Sequence, residues 1–151
     1  MTDLPHLWRE NNGYKNYFAC GSDGSFGGRS LYFESHGNYE IHDIAYNKDT
    51  GRLDPDYYVW WGFEDSKLIN YAKEDLTNIA SSDEPFNYTM LTVDTHFEDG
   101  YVCEDCEDLY GGNQYGNVIR CSSKRITDFI SWIQEQPWYA NTTIVLTGDH
   151  P

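Results

Sequence analysis

The run Thr142-Thr143-Ile144-Val145-Leu146-Thr147 leads straight into Gly148-Asp149-His150. It follows the clearest amphipathic stretch of the chain, about residues 114–136, where Tyr115, Val118, Ile119, Ile126, Phe129, Ile130 and Ile133 recur at helical spacing. A helix that feeds an apolar, β-prone run is half of an α/β unit, so the chain is constrained toward a sheet covered by helices. Strand C-termini in such folds open onto the crevice where ligands bind. At that position Asp149 and His150 offer a carboxylate oxygen and an imidazole nitrogen to one divalent metal. The alternative is a plain turn, with Gly148 freeing the backbone and Asp149 capping a following helix. Because a functional turn of this kind is normally followed by a covering helix, the sequence reads as a segment of a larger protein.

The same alternation runs upstream. Leu4, Leu7 and Trp8 predict a short helix over residues 3–12 that ends at Gly13, and residues 14–20 are aromatic and β-prone. A glycine-rich loop, residues 21–28, then leads to Arg29. That loop can cradle an anion through backbone N–H groups with Arg29 forking onto it, or Arg29 can be a surface salt-bridge residue. It lacks the Lys-Ser/Thr ending of a nucleotide P-loop. Residues 30–65 read as a long aromatic loop. Asp65-Ser66 can cap a helix over residues 67–80, with Leu68, Ile69, Ala72, Leu76 and Ile79 as its apolar stripe. Residues 85–94 form a second strand, which delivers Asp94, Thr95 and His96 at its carboxyl end.

Composition narrows the function. The chain has 151 residues, 25 acidic against 10 basic, and a formal charge of −15. Such a surface repels nucleic-acid phosphates and excludes a nucleic-acid partner. Thirteen Tyr, seven Phe and five Trp supply enough apolar area to exclude disorder. No run approaches the roughly 18–20 apolar residues that span a bilayer. The spacing of Cys103, Cys106 and Cys121 leaves open a local disulfide, free thiols, or zinc completed by a histidine. Trp60 and Trp61 either stack on sugars or anchor the core beneath the crevice.

Three ordered stretches, Trp60-Trp61-Gly-Phe-Glu-Asp65, Pro85-Phe86 through Thr92-Val-Asp-Thr-His96, and Asn141 through His150, carry a resemblance over essentially the whole chain. The sequence resembles the lipoteichoic acid synthase and phosphoglycerol transferase branch of the sulfatase-like proteins, within the alkaline phosphatase superfamily. The resemblance implies a partial α/β/α three-layer sandwich over residues 1–151, lying outside the cytoplasmic membrane. It implies manganese, or else zinc, magnesium or calcium, and a phosphodiester substrate such as an anionic phospholipid, with the membrane reached through an upstream segment.

By position, Asp149 and His150 match the family's metal-binding pair, His96 its substrate-facing histidine, and Arg29 its phosphate-holding arginine, although Gly27 stands where the family's Phe-Trp-Asn-Arg stretch has tryptophan. For His96 the other reading is a buried structural histidine capped by Asp94. Cys20 stands near a substrate-facing histidine of some members. The family's nucleophilic threonine and first acidic ligand match no segment here, so the nucleophile is expected upstream. A sulfatase is the second enzyme reading, although Cys20-Gly-Ser-Asp-Gly is not a formylglycine motif, and a non-catalytic glycan- or partner-binding module is the third.

Overall fold

The computed structural model describes residues 13–150; the helix expected over residues 3–12 lies outside them. Three parallel strands form one sheet in the order β2-β1-β3: β1 is Lys15–Cys20, β2 Glu40–His42 and β3 Phe86–Leu91. The helices are α1 (Arg29–Gly37), α2 (Ile44–Asp49), α3 (Asp65–Ile79) and α4 (Gln114–Gln134). Successive strand residues point to opposite faces. On one face Ala19, Tyr88 and Met90 meet Leu68 of α3, while Ile69, Ala72 and Leu76 of α3 pack with Phe129 and Ile133 of α4. On the other face Phe18 and Cys20 pack with Tyr39 and with Phe33 of α1, whose ring stacks 4.2 Å from that of Phe18. The sheet therefore lies between two helical layers, the α/β/α arrangement expected. Burying each such side chain contributes about 1.5–3 kcal/mol.

Four expectations need correction. Residues 30–65 are not one long loop: they hold α1, β2 and α2. Helix α1 ends at Gly37, where Asn38 takes a left-handed conformation and its N–H donates to Glu34 O and Phe33 O. Asp65 does not cap α3, because the first helical residue is Asp65 itself and Glu64 is the cap position. The run 142–147 is not a strand of this sheet. Thr142 leaves a 3-10 turn, Tyr139–Asn141, with φ −112 and ψ 134, and among the described residues no strand pairs with the segment. With the ladder unmade, Val145 and Leu146 stay 81% and 70% exposed. Tyr115 and Ile119, expected on the buried stripe of α4, are also exposed, because α4 packs on α3 and β3 mainly through its later turns.

Candidate functional site

Two glycines join the loops that follow β1 and precede α3. Phe63 N donates to Gly21 O at 2.7 Å, and Ser22 bridges Gly62. A Cβ on Gly62 would stand 2.3 Å from Gly21 O, and its φ of +153 is one that only glycine adopts freely. This close approach holds Trp61 over the carboxyl ends of β1 and β3. Gly62→Ala is therefore expected to destabilise the protein by about 1–3 kcal/mol in urea unfolding; an unchanged midpoint would mean that the loops separate without loss.

Past Gly21 the chain turns tightly. Asp23 Oδ1 accepts from Ser25 N at 2.8 Å, and Gly24 N donates to Asp43 Oδ2 at 2.9 Å. A 3-10 turn, Phe26–Gly28, then delivers Arg29. Its guanidinium donates to Phe26 O (3.1 Å), Ser22 Oγ (3.0 Å) and Asp23 O (3.0 Å), all neutral oxygens. Among the described residues no carboxylate forms an ion pair with it, so the surface salt-bridge reading of Arg29 is not what the structure has.

Arg29 lines a cleft of about 250 Å³ together with Ser22, Phe26, Trp61, Thr92, His96, Asp149 and His150. The four residues singled out in the sequence, Arg29, His96, Asp149 and His150, thus share one cavity at the carboxyl ends of β1 and β3. His96 is half-buried against Trp61, with ring centroids 4.6 Å apart, and Phe26 meets Trp61 edge-on at 5.4 Å. His96 Nδ1 lies 2.7 Å from Phe97 O. A carbonyl only accepts, so Nδ1 carries the hydrogen, and in the neutral ring Nε2 keeps its lone pair. Asp94 does not cap this histidine.

Asp149 Oδ2 and His150 Nε2 are 3.6 Å apart on two well-exposed side chains. Two bonds of about 2.1 Å to one ion can span that separation, so the pair fits a divalent cation as two of its ligands. Cys20, by contrast, is buried in the core with its thiol donating to Ser22 O, and burial raises its pKa. It does not face the cleft.

Beneath the cleft lies a buried carboxylate pair that the sequence did not disclose. Asp65, at the start of α3, accepts from Val93 N (2.7 Å) and Asp94 N (3.1 Å), and Asp94 Oδ1 accepts from Asp65 N at 3.1 Å. Arg125 of α4 reaches Asp94 Oδ2 at 3.3 Å. Burial pushes both carboxyls up, and the charge of Asp65 pushes Asp94 further; the N–H donors and Arg125 oppose this. The pair clamps the segment that carries His96 to the first turn of α3. Of the cysteines, Cys106 and Cys121 form the expected local disulfide and Cys103 is a thiol, and among the described residues no histidine joins them. Trp61 and Phe26 are the cleft residues the sequence left ambiguous or unmarked, because an aromatic next to a turn signals core and site equally.

Known proteins resemble this chain in sequence and fold. Phosphoglycerol transferase I of Citrobacter koseri is 35% identical over 146 residues, covering 93% of this chain and 19% of that protein; the enzyme of the same name from Salmonella paratyphi B is 34% identical over the same length. The chain thus spans about a fifth of the length of these curated relatives. Among solved structures, an alkaline phosphatase superfamily protein from Vibrio parahaemolyticus superposes with a TM-score of 0.71 at 20% identity, covering 89% of this chain and 32% of that one. The lipoteichoic acid synthase LtaP from Listeria monocytogenes gives 0.68 at 18% identity, over 89% and 33%. These two establish the fold, as the sequence resemblance implied. The Sulfatase family profile matches residues 2–151, and the chain belongs to that family.

Proposed function

We propose that this chain supplies the anion-holding wall of a phosphodiester site in a longer enzyme, one that transfers or hydrolyses phosphoglycerol groups in cell-envelope polymer synthesis at the outer face of the membrane. The observation that carries this reading is Arg29. Its charge is held in the cleft by neutral oxygens, in a protein of formal charge −15, so the cleft keeps a positive fork for an anion. The phosphoglycerol transferase relatives support phosphoglycerol as the group moved. The membrane is reached from elsewhere in the longer protein, since among the described residues no helix is long and apolar enough to cross it.

Each side chain has a task in this scheme. Arg29 binds the non-bridging oxygens of the diester and orients phosphorus. His96, with Nδ1 donating to Phe97 O, accepts the proton of an attacking hydroxyl at Nε2, or in its protonated form gives one to the leaving oxygen. Trp61 and Phe26 wall the cleft and keep water from the diester. Asp149 and His150 would hold a divalent cation, manganese by resemblance, which when bound stabilises charge on the phosphoryl oxygens. The nucleophile belongs to the upstream part of the enzyme.

In the intact protein, Arg29→Lys is expected to lower kcat/KM for phosphatidylglycerol by about 10–100-fold, because a point charge replaces a bidentate fork. Asp149 is a direct ligand in this scheme, so Asp149→Asn is expected to raise the manganese concentration for half-activation by at least the roughly 100-fold that loss of an outer-shell partner can cost. Full activity in both variants would overturn the assignment. The family match keeps a sulfatase as the second reading; turnover of an aryl sulfate with none of phosphatidylglycerol would select it.

A further inference from the structure

Three sulfurs that this scheme leaves unused meet where the loop at residues 103–106 faces α4. Cys106 is bonded to Cys121, with Cα atoms 5.4 Å apart, and Cys103 Sγ lies 3.2 Å from Cys106 Sγ. All three sulfurs lie within 4.8 Å of one another. That limit decides between two chemistries. A thiol attacking a disulfide approaches along the S–S axis, and a 3.2 Å approach in line with a bond of about 2.05 Å would set the outer sulfurs about 5.2 Å apart. The trio is instead folded into a triangle, the form taken by ligands that converge on one point. Four thiolates at about 2.3 Å from zinc stand about 3.8 Å from each other; with Cys103 and Cys106 Sγ 3.2 Å apart and all three sulfurs within 4.8 Å, opening the disulfide lets the trio relax toward that edge.

Charge fits the same reading. Three thiolates around a divalent ion carry a net −1, and Arg125 sets a positive charge beside it: its Nη2 contacts Cys103 Sγ, while the same guanidinium also reaches Asp94 Oδ2 and Asp105 Oδ2. Among the described residues no histidine or carboxylate joins the three sulfurs, so a fourth coordination position is left to water or to a small thiol.

We propose that Cys103, Cys106 and Cys121 form a redox-gated, three-thiolate site for a soft d10 cation such as Zn2+. A reducing dithiol gives two electrons and two protons to the Cys106–Cys121 bond and is itself oxidised to a disulfide. The cation then displaces three thiol protons to solvent. With the disulfide closed, Cys103 alone remains and the site is off. Softness sets the ligand class, since thiolates favour Zn2+, Cd2+ or Cu+ over the hard ions suited to a carboxylate.

The test uses Cd2+ as probe on the intact protein, reduced with a phosphine and desalted without oxygen. One equivalent is expected to produce sulfur-to-cadmium charge-transfer absorption and to raise the melting temperature, as binding to the folded state requires. Protein left oxidised is expected to produce neither. Cys103→Ser, which leaves the disulfide pair intact, is expected to weaken binding by about 100-fold, whereas Cys20→Ser, in the core on the sheet face covered by α1, leaves it unchanged. Asp149→Asn also leaves it unchanged, which separates this site from the proposed phosphodiester site. No Cd2+ band in reduced protein, equal affinity in Cys103→Ser, or a melting temperature lowered by Cd2+ through capture of unfolded thiols would each overturn the proposal.

Discussion

Asp75→Asn is expected to cost about 3–5 kcal/mol of stability, as removal of one member of a buried charge network does. Asp75 is buried on α3 and has three partners: His42 Nδ1 at 2.6 Å, Arg52 Nη2 at 2.6 Å and Tyr88 OH at 3.0 Å. His42 also binds Glu40 and stacks on Tyr46, 4.0 Å between centroids. An amide cannot balance Arg52 and a protonated His42 together.

The network also sets a pH dependence whose sign follows from its two titrating members. Burial resists the charge on His42, but hydrogen bonds to Asp75 and Glu40 outweigh it and the pKa is raised. Its contribution is complete below the unfolded value of about 6.5 and is lost as pH rises through the folded one. Burial likewise resists the charge on Asp75, but His42 and Arg52 outweigh it and the pKa is lowered. That contribution is complete above about 3.9 and is lost as pH falls through the folded value. The network therefore stabilises most between about pH 4 and 6.5, and the fall in melting temperature on either side of this window should be smaller in Asp75→Asn than in the parent. A variant that melts with the parent at every pH would show that the network is energetically silent.

Asp65→Ala is expected to lose about 2–6 kcal/mol, since it orphans the Val93 and Asp94 N–H groups at about 1–3 kcal/mol each. The same change removes the clamp beneath His96, so the cleft should loosen before the sheet does. Asp65→Asn keeps one acceptor but turns an amide N–H₂ toward a second donor, and it should recover only part of the loss. Urea unfolding followed by tryptophan fluorescence reads both; an unchanged midpoint in Asp65→Ala would mean that water replaces the carboxylate.

The elements legible in the sequence were those with long periodic patterns: β1, β3, α3 and α4 were all expected within a few residues of their observed bounds. β2 was missed because three residues, Glu40–His42, carry no period, and α1 because its aromatic residues sit on several faces at once. The run 142–147 was over-read, since propensity describes φ and ψ while a strand also needs a neighbour. At the site, Arg29, His96, Asp149 and His150 could be named because strand ends and charged side chains beside glycines stand out in a sequence. The Asp65–Asp94 clamp could not be named: its partners are far apart in the chain, and each aspartate alone looks like a helix cap or a turn.

The strand order bears on how the chain acquires its fold. Of the three described strands, β1 is the earliest in sequence but sits in the middle of the sheet, and Asn87 of β3 reaches back 71 positions to bond Asn16 of β1. On a ribosome, β1 would emerge with both of its edges unpaired and could not be fully paired until β3 had followed. Non-local parallel pairing of this kind is slow, and a waiting apolar edge is open to wrong neighbours. Yield of this protein in a foreign host is thus expected to depend on translation speed and on chaperones that cover β1, more than on the stability of the finished fold.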